Sequence, residues 1–185
     1  MAATGVRTAT AGDVPVLVAL HRDTWRAAYA RLLPAEVLDG LDDPETVMAW
    51  AGAVDGGATV LIASEGDADV GFCVAGPAPV EEIAAAAGTP PPDAATTALV
   101  STLLVAPRWG RRGHGGRLLA RAAEELRRAG AGRGVAWVPA EDPASLGFYQ
   151  RAGWEPDGTV RTLDAGGRPL RELRLTGSLD LSLSG

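Results

Sequence analysis

Hydrophobic and polar positions alternate with two different periods along this chain, and they predict both helices and strands. An apolar stripe at helical spacing follows Thr10 and Asp13, a capping-box pair, and predicts a helix running toward Tyr29. The runs TVLIAS and DVGFCVA flank a turn at residues 65–67 and predict an antiparallel hairpin. A buried strand, ALVSTLLV, then leads through the loop GRRGHGG into an amphipathic helix, and VAWV forms the next strand. This β-loop-α-β order predicts an α/β domain.

The remaining pattern predicts shorter elements around that unit. VRTAT near the start reads as a strand, and PAEVLDGLDD and PETVMAWAGAV read as helices. The helix after GRRGHGG has its apolar face at Leu118, Leu119, Ala122, Leu126 and Ala129, with Gly130 as its left-handed cap.

The second half of the chain adds one helix and two strands to the prediction. Asp142 followed by proline starts a short helix that Gly153 ends, and GTVRTLD and LRELRLT read as strands. The Ala/Pro-rich segment 76–95 is expected to be a loop insertion over a site, and residues 177–185 a tail that adds a weak edge strand. We therefore predict one domain spanning residues 1–185.

Composition narrows the class of protein further. With 185 residues, 46% of them hydrophobic, the chain is long enough to bury a core, and its apolar runs are too short to span a membrane. The net charge of −6 argues against nucleic-acid binding and mildly favours cationic substrates. One cysteine and two histidines make a metal site unexpected, and Cys73 reads as a buried reduced thiol. A cytoplasmic location is expected, without nucleic-acid or membrane partners.

The loop GRRGHGG, residues 110–116, is the main candidate for chemistry. Glycines before a helix let backbone N–H groups turn toward an anion, and the helix N-terminus adds partial positive charge. A dinucleotide fingerprint starting at Gly113 fails because position 118 is leucine, and a P-loop starting at Gly110 fails because the required lysine is absent. A pyrophosphate cradle of another kind remains, as does a glycine loop that only connects strand to helix.

The strand, the spacing G-x-x-G-x-G from Gly110 to Gly115 and the leucines behind it resemble the GNAT family of N-acetyltransferases. A second segment, DPASLGFYQRAGW, resembles the family's downstream motif, with Asp142 in place of the usual Asn. The opening segment resembles the family's first strand and two helices, so the likeness covers about residues 6–176. It implies a mixed central sheet of about six or seven strands flanked by helices on both faces. Homodimers are common in the family, but the sequence identifies no interface.

The resemblance implies an acetyl-CoA site without a metal. Its cofactor-binding residues would be Leu103 and Val105 on the strand, Gly110, Arg111, Arg112, Gly113, His114, Gly115 and Gly116 in the loop, and Asp142 and Ser145 at the later helix. Gly110 lacks the side-chain contact that Gln or Arg gives at this position in the family. Arg111 and Arg112 either contact phosphate oxygens or are solvated. The His114 side chain is expected to pack or face solvent while its backbone meets phosphate.

The implied reaction is direct attack of an amine on the thioester. The backbone N–H of Val105 would stabilise the oxyanion, and Tyr149 would donate a proton to the departing sulfur, although packing beside Phe148 is its alternative role. Trp25 and Tyr29, one helical turn apart, line either an amine pocket or the core. The strand carries no glutamate, so the general base stays open among Glu81, Glu82 and Glu141.

These inferences predict an acetyl-CoA-dependent N-acetyltransferase acting on a primary amine of a small molecule or peptide. A non-enzymatic acyl-CoA-binding or sensing module is the second hypothesis, because the strand lacks a glutamate and Asp142 replaces Asn. A purely structural or interaction protein is the third.

Overall fold

Seven strands form one mixed sheet in the order β1-β2-β3-β4-β5-β7-β6, and only β4 and β5 run parallel. The structure, a computed structural model, describes residues 2–181. Its strands are β1 Thr4–Thr8, β2 Thr59–Glu65, β3 Ala68–Pro77, β4 Thr97–Val105, β5 Arg133–Pro139, β6 Glu155–Ala165 and β7 Arg168–Ser178. Its helices are α1 Val14–Tyr29, α2 Ala35–Asp39, α3 Pro44–Asp55, α4 Val80–Ile83, α5 His114–Arg128 and α6 Pro143–Arg151.

Helices cover both faces of the sheet because alternate strand residues point to opposite sides. Val60 and Ile62 of β2 pack with Leu17 of α1 on one face. On the other face, Leu61 and its same-side neighbours pack against the apolar stripe of α5. This arrangement confirms the predicted fold class.

Strands β4 and β5 separate soon after they meet, and this split is the main irregularity of the sheet. They pair only over Thr97–Leu99 and Arg133–Val135. On its other side, β4 bulges at Ser101, whose hydroxyl donates to the Val74 carbonyl at 3.2 Å. Arg133 closes the paired end with hydrogen bonds of 2.6 and 2.8 Å to Asp93. Beyond that end, the edges of the two strands face an open gap.

Several local predictions are confirmed by geometry. Thr10 and Asp13 form the capping box before α1, and Pro44 is the first residue of α3. Gly130 follows α5 with φ of 95°. Cys73 is buried and forms no disulfide, and burial raises the pKa of its thiol to about 12.

Three boundaries differ from the sequence-based expectation. Segment 76–95 is not wholly a loop: β3 continues to Pro77, and α4 buries Ile83 at 3% exposure. At the other end, β7 includes residues 177–178, with Gly177 against the ring of Trp154, and Leu179 is buried in the same apolar cluster as Trp154. The expected edge strand does not form at residues 180–181, and residues 182–185 lie outside the described part. Ala129 follows α5 and is exposed.

Across residues 2–181, no helix is both long enough and apolar enough to cross a membrane. Within the same range, no group of three or more His, Cys, Asp or Glu side chains is placed to hold a metal ion.

Candidate active site

A cleft of about 1490 Å³ opens where β4 and β5 part. One end lies at the glycine loop and the start of α5. The other end lies between α1, α4 and the β6–β7 hairpin. All residues predicted from the sequence to bind the cofactor or the amine line this cleft except Arg112, and Tyr149 lines it too. Residues far apart in sequence therefore meet around one cavity.

The glycine loop has the backbone shape of an anion cradle. Gly113 caps α5 with φ of 81°, and Arg111 also has a positive φ of 62°. A non-glycine residue in this region costs about 1–2 kcal/mol, so surrounding contacts must hold the loop in place. Because α5 starts at His114, its first-turn N–H groups have no carbonyl partner within the helix. They are available to an anion in the cleft.

Gly115 packs closely against α6. A Cβ at this position would lie 3.1 Å from Cε2 of Phe148, so a larger residue would require the Phe148 ring to shift. A Cβ on Gly116 meets no protein atom within 4 Å, and this glycine leaves free space beside the cleft.

Glu65, at the end of β2, fixes the loop from behind. Its carboxylate accepts a hydrogen bond of 2.9 Å from Nη1 of Arg112 and lies 2.8 Å from Nε2 of His114. The His114 bond, together with Arg112, holds the pKa of Glu65 below its ordinary value. The Arg112 guanidinium also lies 4.9 Å from the centroid of the Trp109 ring.

The two side chains differ in their relation to the cleft. Arg112 does not line the cleft, and its Nη1 is bonded to Glu65, with the guanidinium beside the Trp109 ring. The His114 side chain is fully buried, and its backbone is the part that is left to meet an anion. Arg111 remains in the cleft wall, and it forms no ion pair with another described residue.

The open edge of β4 presents backbone donors to the cleft. Ala106 donates to the Val70 carbonyl of β3 at 2.8 Å. Since N–H directions alternate along a strand, the N–H groups of Leu103 and Val105 project to the opposite edge, where β5 has separated. Both residues line the cleft.

Asp142 links α6 to α1 across the cleft. Its carboxylate caps α6 through the backbone N–H of Ser145 at 3.0 Å and accepts the Ser145 hydroxyl at 2.7 Å. The Tyr29 hydroxyl donates to the same carboxylate at 2.7 Å. Burial and this bond raise the pKa of Tyr29. The predicted N-cap role of Asp142 is confirmed, and three donors already occupy its two oxygens.

Tyr149 lines the cleft and is 5% exposed. Its ring stacks on Trp154 at 5.3 Å and meets Phe148 edge-on at 5.1 Å. Burial raises the pKa of its phenol, so the group stays protonated at neutral pH. The side chain thus both packs in the core and reaches the cavity wall.

Aromatic rings from α1 and α3 form another wall. The Trp25 ring contacts His21 at 4.7 Å and Tyr29 at 5.3 Å, and His21 also contacts Trp50 at 5.2 Å. Burial lowers the pKa of His21 to about 4, so this imidazole is neutral at pH 7. Trp25 and Tyr29 line the cavity as predicted, and His21 and Trp50 extend the wall.

Two carboxylates lie at the end of the cleft remote from the glycine loop. Arg161 donates to Glu82 at 2.7 Å and to Glu172 at 2.6 Å, and its guanidinium lies 4.2 Å from the centroid of the Trp137 ring. All four residues line the cleft, whereas Glu81 and Glu141 do not. Of the three glutamates considered as bases, Glu82 alone is therefore in position.

A comparison with known protein families identifies the family of this chain. The model of the Acetyltransferase (GNAT) family matches residues 17–154, which is most of the chain. The chain belongs to the GNAT family. No curated protein matches this GNAT sequence significantly.

Solved structures with the same fold are similar over nearly the whole chain. PaiA N-acetyltransferase from Thermoplasma acidophilum, in complex with coenzyme A, is 16% identical with a TM-score of 0.67, covering 92% of this chain and 98% of that one. YncA from Salmonella typhimurium, with its cofactor acetyl-CoA, is 20% identical with a TM-score of 0.70, covering 96% and 95%. Ribosomal-protein-alanine N-acetyltransferase from Brucella melitensis is 25% identical with a TM-score of 0.71, covering 94% and 99%.

Glu65 and Arg161 are the residues of this GNAT chain that the sequence does not indicate, because each acts through a distant partner. Glu65 is 47 residues from Arg112, and Arg161 is 79 residues from Glu82. No spacing rule connects positions so far apart. Trp137 carried a usable signal, because alternation in VAWV places it on one face of β5, but only the structure places the cleft there.

Proposed function

We propose that this protein is an acetyl-CoA-dependent N-acetyltransferase that transfers acetyl to a primary amine of a small molecule or peptide. The observation that carries the proposal is the split sheet: β4 and β5 pair over three residues each, and the cleft beyond them joins the glycine loop to an aromatic and acidic end. Family membership supports acyl transfer, and the coenzyme A and acetyl-CoA bound by structures of this fold support the cofactor.

The glycine loop suits the cofactor's pyrophosphate. Gly113, Gly115 and the first-turn amides of α5 would hold it, with Arg111 adding charge from the cleft wall. Leu103 would bind the pantetheine arm through its backbone N–H at the open edge of β4, and Val105, two residues further along the same edge, would face the thioester. Ser145 would border the arm, while Asp142 serves α6 and Tyr29 instead.

Bound acetyl-CoA supplies an electrophilic thioester carbonyl and a thiolate leaving group. The Val105 N–H donates to the carbonyl oxygen, where a single such donor is typically worth about 3 kcal/mol. Tyr149 holds its proton at neutral pH and gives it to the leaving sulfur. Glu82 receives the proton of the acceptor ammonium, since it lies in the cleft wall and one of its oxygens, Oε2, is held by Arg161. Trp25 and Tyr29 form the wall beside the amine.

The test combines calorimetric titration of acetyl-CoA with thiol release over a panel of primary amines. The proposal predicts binding and amine-dependent release of one thiol per acetylated product, which mass spectrometry identifies. Binding without release over the whole panel would favour an acyl-CoA sensor. Absence of acetyl-CoA binding by the folded protein would exclude both the acetyltransferase and the acyl-CoA sensor, and a structural role would be left.

A further inference from the structure

The arginines of this protein divide into those with an acidic partner and those without. Ten of the 17 arginines form an ion pair with a described carboxylate, and seven do not. Acidic residues number 23, so unpaired arginines are not explained by a shortage of acids. The seven are Arg31, Arg108, Arg111, Arg117, Arg151, Arg168 and Arg171.

These seven arginines fall in two places. Four of them lie just before the glycine loop, within it, in the first turn of α5 and at the end of α6, in the part of the molecule where the polyanionic cofactor is proposed to bind. The other three are Arg31, Arg168 and Arg171, and all three line a second cavity of about 250 Å³. Leu32 and Leu170 belong to the walls of both cavities. The small cavity therefore adjoins the end of the cleft between α1, α4 and the β6–β7 hairpin, where the acceptor is proposed to bind and which we call the acceptor end.

The small cavity is built by segments that are held together by apolar packing. Tyr29, Leu32 and Leu170 join the cluster around Leu33, Leu38 and Leu41. The β6–β7 turn fits closely on α2, because a Cβ on Gly166 would lie 2.9 Å from Cγ2 of Val37. Nη1 of Arg168 donates to the Arg31 carbonyl at 3.4 Å. The turn that carries Arg168 is therefore fixed beside Arg31 rather than free to move away.

The charge of this cavity is positive in a protein whose net charge is −6. Its walls carry three exposed arginines and one exposed acid, Glu141, which forms no ion pair with a described residue. Guanidinium groups bind carboxylate and phosphate with strong charge-assisted hydrogen bonds. An anionic group in this cavity would balance the three arginines.

We propose that the acceptor is an amine that also carries a carboxylate or phosphate group, and that the cavity lined by Arg31, Arg168 and Arg171 binds this anion. The inference rests on the proposed acetyltransferase function and names the acceptor class. Glu82 and Glu172 lie on the cleft side of the shared leucine wall, and the arginines lie on the other side. The two ends of a zwitterionic acceptor would thus meet side chains of opposite charge.

The experiment measures product binding, which does not depend on turnover. Matched pairs of N-acetylated compounds are titrated calorimetrically into the coenzyme A complex of the full chain. One arm compares N-acetyl amino acids with their carboxamides, and the other compares N-acetyl aminoalkyl phosphates with the corresponding alcohols. In at least one arm the anionic member should bind about tenfold tighter or more, as expected for a charge-assisted contact.

The variant Arg31→Gln/Arg168→Gln should abolish this preference and leave the dissociation constants of coenzyme A and of the neutral members unchanged. The control variant Arg121→Gln/Arg127→Gln removes two exposed arginines of α5 and the same net charge, and it should keep the preference. Circular dichroism checks that both variants fold, and Arg171→Gln provides a single-charge variant if the double variant does not.

Three results would overturn the inference. The first is no preference for anionic members in either arm, and the second is a preference that survives in the Arg31/Arg168 variant. The third is weaker coenzyme A binding in that variant, which would assign the cavity to the cofactor. Failure of the acetyltransferase proposal is a different result, namely no thiol release from acetyl-CoA with any free amine.

Discussion

The two ends of the cleft are built in different ways. The glycine-loop end comes from one continuous stretch, β4 through α5, and its proposed ligand contacts are backbone groups whose direction is set by local conformation. The acceptor end collects side chains from α1, α4, β5, β6 and β7, each from a separate part of the chain. Such a division lets one end keep a fixed cofactor while side-chain changes at the other alter the acceptor.

Tyr149 is the proposed general acid, and Tyr149→Phe should have the largest effect. Loss of a general acid typically costs about 100-fold or more in turnover, while the acetyl-CoA dissociation constant should change little. Because burial raises the pKa of this phenol above its ordinary value of about 10, turnover should not fall through its ionisation below that pH. Steady-state kinetics across pH measure both effects. Tyr29→Phe removes the only other phenol as a control, and unchanged turnover in Tyr149→Phe would contradict the assignment.

The second prediction perturbs the cofactor end alone. Gly113→Ala/Gly115→Ala should raise the acetyl-CoA dissociation constant about tenfold or more, because an L-residue at φ of 81° is strained by about 1–2 kcal/mol and the second Cβ meets Phe148. Calorimetry gives the constant, and the acceptor KM at saturating cofactor should stay near its wild-type value. Gly52→Ala in α3, where a Cβ meets nothing, is the control. A folded double variant with normal affinity would refute the cradle.

The third prediction tests Glu65 as a positioning residue for the loop. Glu65→Ala frees Arg112 and His114 and should raise the KM for acetyl-CoA about threefold to tenfold, since only part of a charge-assisted bond energy is transmitted to the ligand. Turnover at saturating cofactor should be unchanged, and Glu65→Gln should restore part of the affinity. Asp69→Ala, which breaks the Arg7 ion pair on the same hairpin, is the matched control. Equal effects of both variants would indicate general destabilisation of the hairpin instead.

The pH dependence of this contact has a defined sign. The pKa of Glu65 is lower in the folded protein than its ordinary value of 4.5. Its contribution is therefore fully present above pH 4.5 and is lost as pH falls through the lowered pKa. The difference in unfolding free energy between wild type and Glu65→Gln should shrink in acid, which denaturant titration at several pH values measures.

The smallest expected effect is that of removing the hydrogen bond between Tyr29 and Asp142. Tyr29→Phe removes one hydrogen bond to Asp142 and should lower the free energy of unfolding by about 1 kcal/mol, with less than about a threefold change in the acceptor KM. Urea titration and kinetics measure the two quantities. Ser145→Ala removes a second donor to the same carboxylate oxygen for comparison. A large rise in the acetyl-CoA dissociation constant would instead place Asp142 among the cofactor contacts.

Much of the cofactor end could be predicted from the sequence. The cap at Asp142, the hairpin turn after β2 and the start of α5 were anticipated because each depends on residues within a few positions. The direction of the Arg112 side chain could not be anticipated, because Glu65 lies on another element 47 residues away. For the same reason the Tyr29–Asp142 bond, across 113 residues, was missed although both residues had been singled out.

By itself, the sequence determined the local elements, the glycine loop and the family to which they belong. Backbone dihedral preferences, capping and hydrophobic period act over a few residues and can be read in order along the chain. The meeting of Glu82 and Glu172 at Arg161, whose guanidinium lies over Trp137, and the small cavity lined by three arginines both depend on tertiary packing. These contacts depend on a crossover that places β5 beside β4 and on the β7 strand pairing with β5, which no local rule fixes.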